Sequence, residues 1–147
     1  MCRYKKADVA IMKVQRKEKK KMPEKLKVEL NVALSNKDID DIMDTAMYGI
    51  EYWCSKVTPE ESHIGKYTNE QISCGGILKL QDTEGGRYFC LTKEKLIQGL
   101  KKYLEKHIAG DFLEFVDHEL RIDVGNIDAN VADAIIQYAL FGDIIYG

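Results

Sequence analysis

The chain has 147 residues, of which 45% are hydrophobic, and this suffices for one folded domain with a core of its own. Its net charge of −2 is unevenly distributed: residues 1–27 hold eleven of the 22 bases and three of the 24 acids, or +8, and residues 28–147 carry −10. No apolar run could cross a bilayer and no secretory signal is recognisable, so we expect a cytoplasmic protein without membrane contact.

Residues 1–24 are expected to form a flexible basic extension, because they contain few apolar groups, no sustained hydrophobic period and Pro23. A nucleic-acid arm is not favoured, since Glu18 and Glu24 interrupt the basic run and the acidic body would repel DNA. We therefore predict no direct nucleic-acid partner, and a single folded domain over residues 25–147.

The first predicted elements lie between residues 25 and 73. Residues 25–34 alternate apolar and polar side chains, which is typical of a half-buried strand and predicts that one opens the domain. Ser35 and Asp38 resemble a capping box, and apolar residues at helical spacing predict a helix over residues 36–48 that Gly49 ends. The segment EYWCSKV favours a second strand, TPEESHIGKYTN a loop, and residues 69–73 a short helical turn.

The second half mixes strands and helices without regular alternation. Two glycine pairs bracket ILKLQDTE, and RYFCLT follows, so we predict a hairpin that turns near residues 82–86. Thr92 caps a predicted amphipathic helix, residues 109–125 are ambiguous, and Asn126 or Asp128 caps an apolar helix that ends at Gly142. DIIYG favours a buried closing strand. The predicted fold class is α+β, an antiparallel sheet covered on one face by two or three helices.

Catalytic motifs are not recognisable in the sequence. The glycine pairs match no nucleotide-binding loop, there is no G-x-S-x-G elbow, and the four cysteines form no C-x-x-C pair, so we expect reduced thiols and no zinc. Asp117, His118, Glu119 and Asp123 are the one polar group that could bind a metal, but neighbouring residues point in different directions. We predict neither enzyme nor cofactor, and keep a metal-dependent hydrolase or nuclease as an alternative.

Acidic residues concentrate in two stretches of the body. The first occupies the opening turns of the predicted helix over residues 36–48, where the helix dipole and capping explain most of the carboxylates: Asp38, Asp40, Asp41 and Asp44. The second extends over the ambiguous segment: Asp111, Glu114, Asp117, Glu119 and Asp123, followed by Asp128 and Asp133. Such a surface either solubilises the protein or acts as a DNA mimic that presents carboxylates where a partner expects phosphates.

A different class of function depends on aromatic residues. Tyr52, Trp53 and Tyr88 could stack on a base, and Arg87 could contact a phosphate, which would make the chain a nucleotide-messenger-binding protein. Phe89 and Lys79 belong to the same hypothesis. Aromatic residues in strands are more often part of the core, so this interpretation is the alternative.

The segments DIDDIMDTAMYGIEYWC, QISCGGILKLQD, LTKEKLIQGLKKYLEK and NIDANVADAIIQYALFGDIIYG resemble a family of small proteins of Firmicutes phages and prophages, over residues 25–147. The resemblance carries no catalytic motif, so no residue acquires a role from it. It implies an anti-defence protein, with anti-CRISPR inhibition as the first hypothesis, in the cytoplasm of a bacterial host. The expected partner is a host nucleic-acid-binding effector that contacts the acidic surface, and a homodimer remains open.

Overall fold

The computed structural model describes residues 25–107 and 109–147, and the predicted flexible extension lies outside these ranges. Lys25–Asn31 belongs to a different unit from Val32–Gly147, which contains every helix and strand described below. The α+β prediction is confirmed, with antiparallel strands divided between two small sheets. The four α-helices of this part of the chain are α1 (Asn36–Gly49), α2 (Glu70–Ser73), α3 (Lys93–Lys106) and α4 (Ala129–Phe141).

Helix ends follow from the residues that cap them. At the start of α1 the Ser35 hydroxyl accepts from the Asp38 N–H at 3.1 Å, and the Asp38 carboxylate accepts from the Ser35 N–H at 2.8 Å. Thr92 and Asp128 accept in the same way from the first turns of α3 and α4. Gly142 ends α4 in the left-handed region, at φ +74°, where glycine is favoured. The predicted caps are therefore confirmed.

The larger sheet has three strands, β1 (Cys54–Pro59), β2 (Leu78–Asp82) and β3 (Tyr88–Leu91), in the order β1-β2-β3. Antiparallel pairing of β2 with β3 confirms the predicted hairpin and its turn. Leu78, Leu80 and Leu91 on one sheet face are buried, whereas Lys56 and Tyr88 on the opposite face are exposed. The sheet thus contributes one face to the core.

The smaller sheet is a hairpin of β4 (Leu113–Val116) and β5 (Glu119–Ile122). It resolves the ambiguity of residues 109–125, and a 3-10 turn flanks the hairpin on each side, Ala109–Asp111 and Val124–Asn126. Asp117 and His118 form the two-residue connection with φ values of +50° and +65°. Positive φ at both central residues is the type I′ geometry, which matches the twist of the paired strands.

Helix α4 is central to the body, as its apolar sequence predicts. Ala132, Ile135 and Ile136 are fully buried, and the helix packs against both α1 and α3. Its contact with α3 is close: a Cβ atom at Gly99 would lie 2.5 Å from the Ile135 carbonyl oxygen. The core therefore forms around α4.

Two predicted strands are absent. The alternating segment of residues 25–34 has no strand, its one bridge is the parallel contact of Ala33 with Arg121, and Leu26 and Val28 are 85% and 83% exposed. The closing segment DIIYG is also irregular, with Ile144 and Ile145 exposed. Alternation predicts a strand only where a neighbouring strand supplies a run of hydrogen bonds; in the described residues Ala33 has a single one, to β5, and the closing segment pairs with no strand.

Candidate functional site

The acidic residues of α1 differ in their local roles. Asp38 completes the capping box, and Asp41 forms an ion pair with Lys37 at 2.8 Å, so both also stabilise the helix itself. Asp40 is half-buried, and its Oδ1 atom is enclosed without a hydrogen-bond partner. Asp44 is exposed and forms no ion pair with a described residue. Of the four predicted binding residues, Asp44 is the one whose carboxylate is most open to a partner.

The second acidic group lies on and around the β4–β5 hairpin. Asp111, Glu114, Asp117 and Glu119 are exposed, and none forms an ion pair within residues 25–107 and 109–147. Asp123 instead caps the following 3-10 turn, where it accepts from the Gly125 N–H and the Asn126 amide. Asp133, which the sequence placed in the same acidic stretch, is buried and belongs to a different environment.

An open depression adds shape to this acidic region. It has a volume of about 580 Å³ and lies between the start of β4 and the start of α4, where the exposed Asp111 and Asp128 both line it. The complete lining is Gly110, Asp111, Phe112, Leu113, Asn126, Asp128 and Val131. Two exposed carboxylates in one open depression can receive the charged end of a lysine or arginine.

The two acidic groups lie on neighbouring elements. The Ala33 N–H donates to the Leu120 carbonyl oxygen at 2.8 Å, which ties the chain just before α1 to β5. The 3-10 turn Val124–Asn126 also contacts α1. The hairpin and the start of α1 are therefore neighbours in the fold. We call Asp44, Asp111, Glu114, Asp117 and Glu119 the acidic surface.

The predicted aromatic site is not formed as an open site. Trp53 is 1% exposed, and the ring of Tyr146 stacks on it with centroids 4.8 Å apart and planes within 1°. The chain's own tyrosine thus occupies the face on which a base would stack. Tyr52 and Tyr88 are each half-exposed, and the ammonium of Lys79 lies 4.2 Å from the Tyr88 ring centre.

Arg87, the predicted phosphate ligand, is engaged by the hairpin turn. Its Nε donates to Asp82 Oδ2 at 2.9 Å and its Nη2 donates to the Tyr146 hydroxyl at 3.2 Å. Burial alone would raise the pKa of Asp82, but Arg87 and the N–H groups of Gly85 and Arg87 outweigh burial and hold that pKa below its usual value. The guanidinium therefore has a carboxylate partner already.

A largely buried polar network, missed by the sequence analysis, joins the residues just before β1 to α4. The Asp133 carboxylate accepts from the Tyr52 hydroxyl at 2.6 Å, from Trp53 Nε1 at 2.7 Å and from Gln137 Nε2 at 3.0 Å. Burial and Asp133 together raise the pKa of Tyr52 to about 12. We call Tyr52, Trp53, Asp133 and Gln137 the polar network.

Gln137 extends this network to the closing segment. Its side-chain oxygen accepts from the N–H groups of Ile145 and Tyr146, and its nitrogen donates to the Tyr146 carbonyl. The Gln137 side chain supplies hydrogen bonds that a neighbouring strand would otherwise supply, which explains how the irregular closing segment is held in place. The signal available in the sequence was an acid and an amide four residues apart on one face of a helix otherwise apolar.

The candidate metal residues do not converge. Asp117 and His118 form the tip of the hairpin, Glu119 begins β5, and Asp123 caps a turn. In the part of the chain that the structure describes, no three His, Cys, Asp or Glu residues are arranged to hold a metal ion. Cys54, Cys74 and Cys90 are free thiols.

No family model, curated protein or solved structure matches the chain. The resemblance to phage proteins therefore remains a prediction, and function has to be inferred from the residues themselves. Within the described ranges no helix combines the length and the apolar character that a membrane span requires.

Proposed function

We propose that the chain is a non-enzymatic inhibitor that binds a basic surface of another protein through its acidic surface. The partner we propose is a nucleic-acid-binding effector of a host defence system, with an RNA-guided CRISPR nuclease as the first candidate. Bound there, the carboxylates would occupy positions that the effector uses for phosphate groups of its nucleic acid.

The observation that supports this function best is the acidic surface itself. Its five carboxylates are exposed and none forms an ion pair with a described base, although Arg121 lies opposite Glu114 on β5, and residues 28–147 of the body carry −10. Unpaired exposed carboxylates lose little on binding, whereas a carboxylate already paired would first have to leave its partner. Long-range attraction between such a surface and a basic groove accelerates association and weakens with salt.

The test compares two triple variants that change the net charge equally. Asp44→Asn, Asp111→Asn and Asp117→Asn remove carboxylates of the acidic surface, and asparagine tolerates the positive φ of position 117. A matched control removes three exposed acids elsewhere: Glu51→Gln, Glu84→Gln and Glu105→Gln.

Binding to a guide-loaded, Cas9-type effector is measured by biolayer interferometry at low and physiological salt, with target DNA as competitor. We expect the acidic-surface variant to associate at least about tenfold more slowly and the control to stay within about twofold. Absence of binding, equal effects of the two variants, or binding indifferent to both salt and DNA would contradict the proposal.

A further inference from the structure

The segment Lys25–Asn31 has the features of an unpaired strand. It alternates apolar and polar residues without regular secondary structure, and Leu26, Val28 and Leu30 are 85%, 83% and 68% exposed. No hydrogen bond joins two backbone groups within the segment. A row of large apolar side chains beside free backbone groups is costly to leave in water, and it is the combination that strand addition uses.

Three strand edges could receive such a segment, and two of them are protected. The edge of β1 contains a bulge between Cys54 and Lys56 and ends at Pro59, and both features discourage pairing. At the edge of β3 the Cys90 carbonyl already accepts from the Lys95 ammonium at 2.8 Å. These edges are therefore poor acceptors.

The edge of β4 is open. Because a two-residue turn follows, Val116 and Glu119 form the hydrogen-bonded closing pair, and the backbone groups of Phe115 point away from β5. The Phe115 side chain is 71% exposed, which is unusual for a large apolar residue in a strand. On the opposite side, β5 already receives the Ala33 N–H, so one edge of the hairpin remains for a further strand.

The charges of this segment and of the β4 edge indicate which chain supplies the added strand. Lys25 and Lys27 alternate with the apolar residues of the segment, and residues 1–27 carry +8 in sequence. Glu114 lies beside Phe115 on β4, and Asp117 and Glu119 lie at the turn, so this edge is apolar and negative. The same chain thus supplies both a basic apolar strand and an acidic apolar edge.

We propose that residues 26–30 of one copy of this chain add as a strand to β4 of a second copy. Leu26, Val28 or Leu30 would cover Phe115, and the lysines of the segment would lie near Glu114. Since both copies carry both parts, the exchange is reciprocal and closes as a twofold dimer. This inference goes beyond the proposed function and does not rest on it: it shares Glu114, Asp117 and Glu119 with the acidic surface but does not need Asp44 or Asp111, so the dimer and the effector would compete for the hairpin.

The first experiment measures the mass of the full chain by sedimentation velocity over a concentration series. We expect a concentration-dependent dimer that high salt weakens, and we expect Val28→Lys and Phe115→Lys each to weaken it at least about tenfold. Tyr48→Lys is the matched control, because Tyr48 is 69% exposed on α1 and should leave the dimer unchanged. Circular dichroism of each variant checks that the fold is retained.

The second experiment tests the contact itself. A tagged Val28→Cys protein is mixed with an untagged Phe115→Cys protein, both carrying Cys2→Ser, Cys74→Ser and Cys90→Ser, and mild oxidation is followed by non-reducing electrophoresis. A disulfide between the two chains is expected, and replacing the second partner by Tyr48→Cys should abolish it. A monomer at every concentration, a dimer that resists both lysine variants, or equal crosslinking to position 48 would overturn the proposal.

Discussion

Replacing Asp133 by alanine should cost more stability than any other single change of an acid in the described body. The substitution removes the acceptor of the Trp53 indole N–H and of the Gln137 amide, both of which are buried. The Trp53 N–H left without a partner costs about 1–3 kcal/mol, and the Gln137 amide, which still donates to the Tyr146 carbonyl, adds less, so we expect a loss of about 2–4 kcal/mol. A domain of this size has about 5–15 kcal/mol in total, so the variant should be close to unfolding.

The measurement is urea unfolding followed by tryptophan fluorescence, because Trp53 is the single tryptophan and lies inside the polar network. Asp133→Asn keeps the size and one acceptor oxygen, and should lose less stability than Asp133→Ala. Asp44→Ala is the control, an exposed helical aspartate whose removal should change stability by less than about 0.5 kcal/mol. If Asp133→Ala loses less than about 1 kcal/mol with an unchanged denaturant slope, the network does not hold the fold as described.

Two further predictions concern the packing of α3 and the stability of the fold at alkaline pH. Gly99→Ala should lower the free energy of unfolding by about 1–3 kcal/mol, because the new Cβ atom would lie within 2.7 Å of backbone atoms of Ile135 and Ala139. An unchanged free energy of unfolding in the same urea assay would contradict this. Burial and Asp133 raise the pKa of Tyr52 to about 12, whereas the unfolded chain has a tyrosine pKa of about 10. The neutral Tyr52 hydroxyl therefore stabilises the fold below pH 10, and this stabilisation is lost as the pH rises toward 12. The melting-temperature difference between wild type and Tyr52→Phe should therefore shrink across that interval, and a constant difference would refute the assignment.

Much of the fold could be predicted because local signals and tertiary packing agree. Ser35, Thr92 and Asp128 each stand before an apolar-periodic run, and each caps a helix in the structure. The hairpin of β4 and β5 stayed ambiguous because its turn residues, Asp117 and His118, are not the Asn-Gly or Asp-Gly pair that identifies such turns. The sequence therefore predicted best those helices whose ends are determined by capping residues.

The candidate site was harder to predict, because burial depends on distant residues. Asp133 looks like one more surface acid until Tyr52 and Trp53 are brought to it. Trp53 looks like a stacking platform until Tyr146 covers it. In the acidic surface, by contrast, the exposure of Asp44 follows from its position on a helix face, which the sequence pattern does indicate.

The position of α4 has a consequence for how the protein is made. Trp53 finds its acceptor at Asp133, which follows 80 residues later in the chain, and the buried face of α1 is covered by the same helix. Until α4 has been synthesised, the nascent chain exposes the apolar face of α1, and the Trp53 indole N–H has no acceptor. Stable folding should therefore be delayed until late in translation, and a chain stalled before residue 129 would present α1's apolar face to chaperones or to other stalled chains.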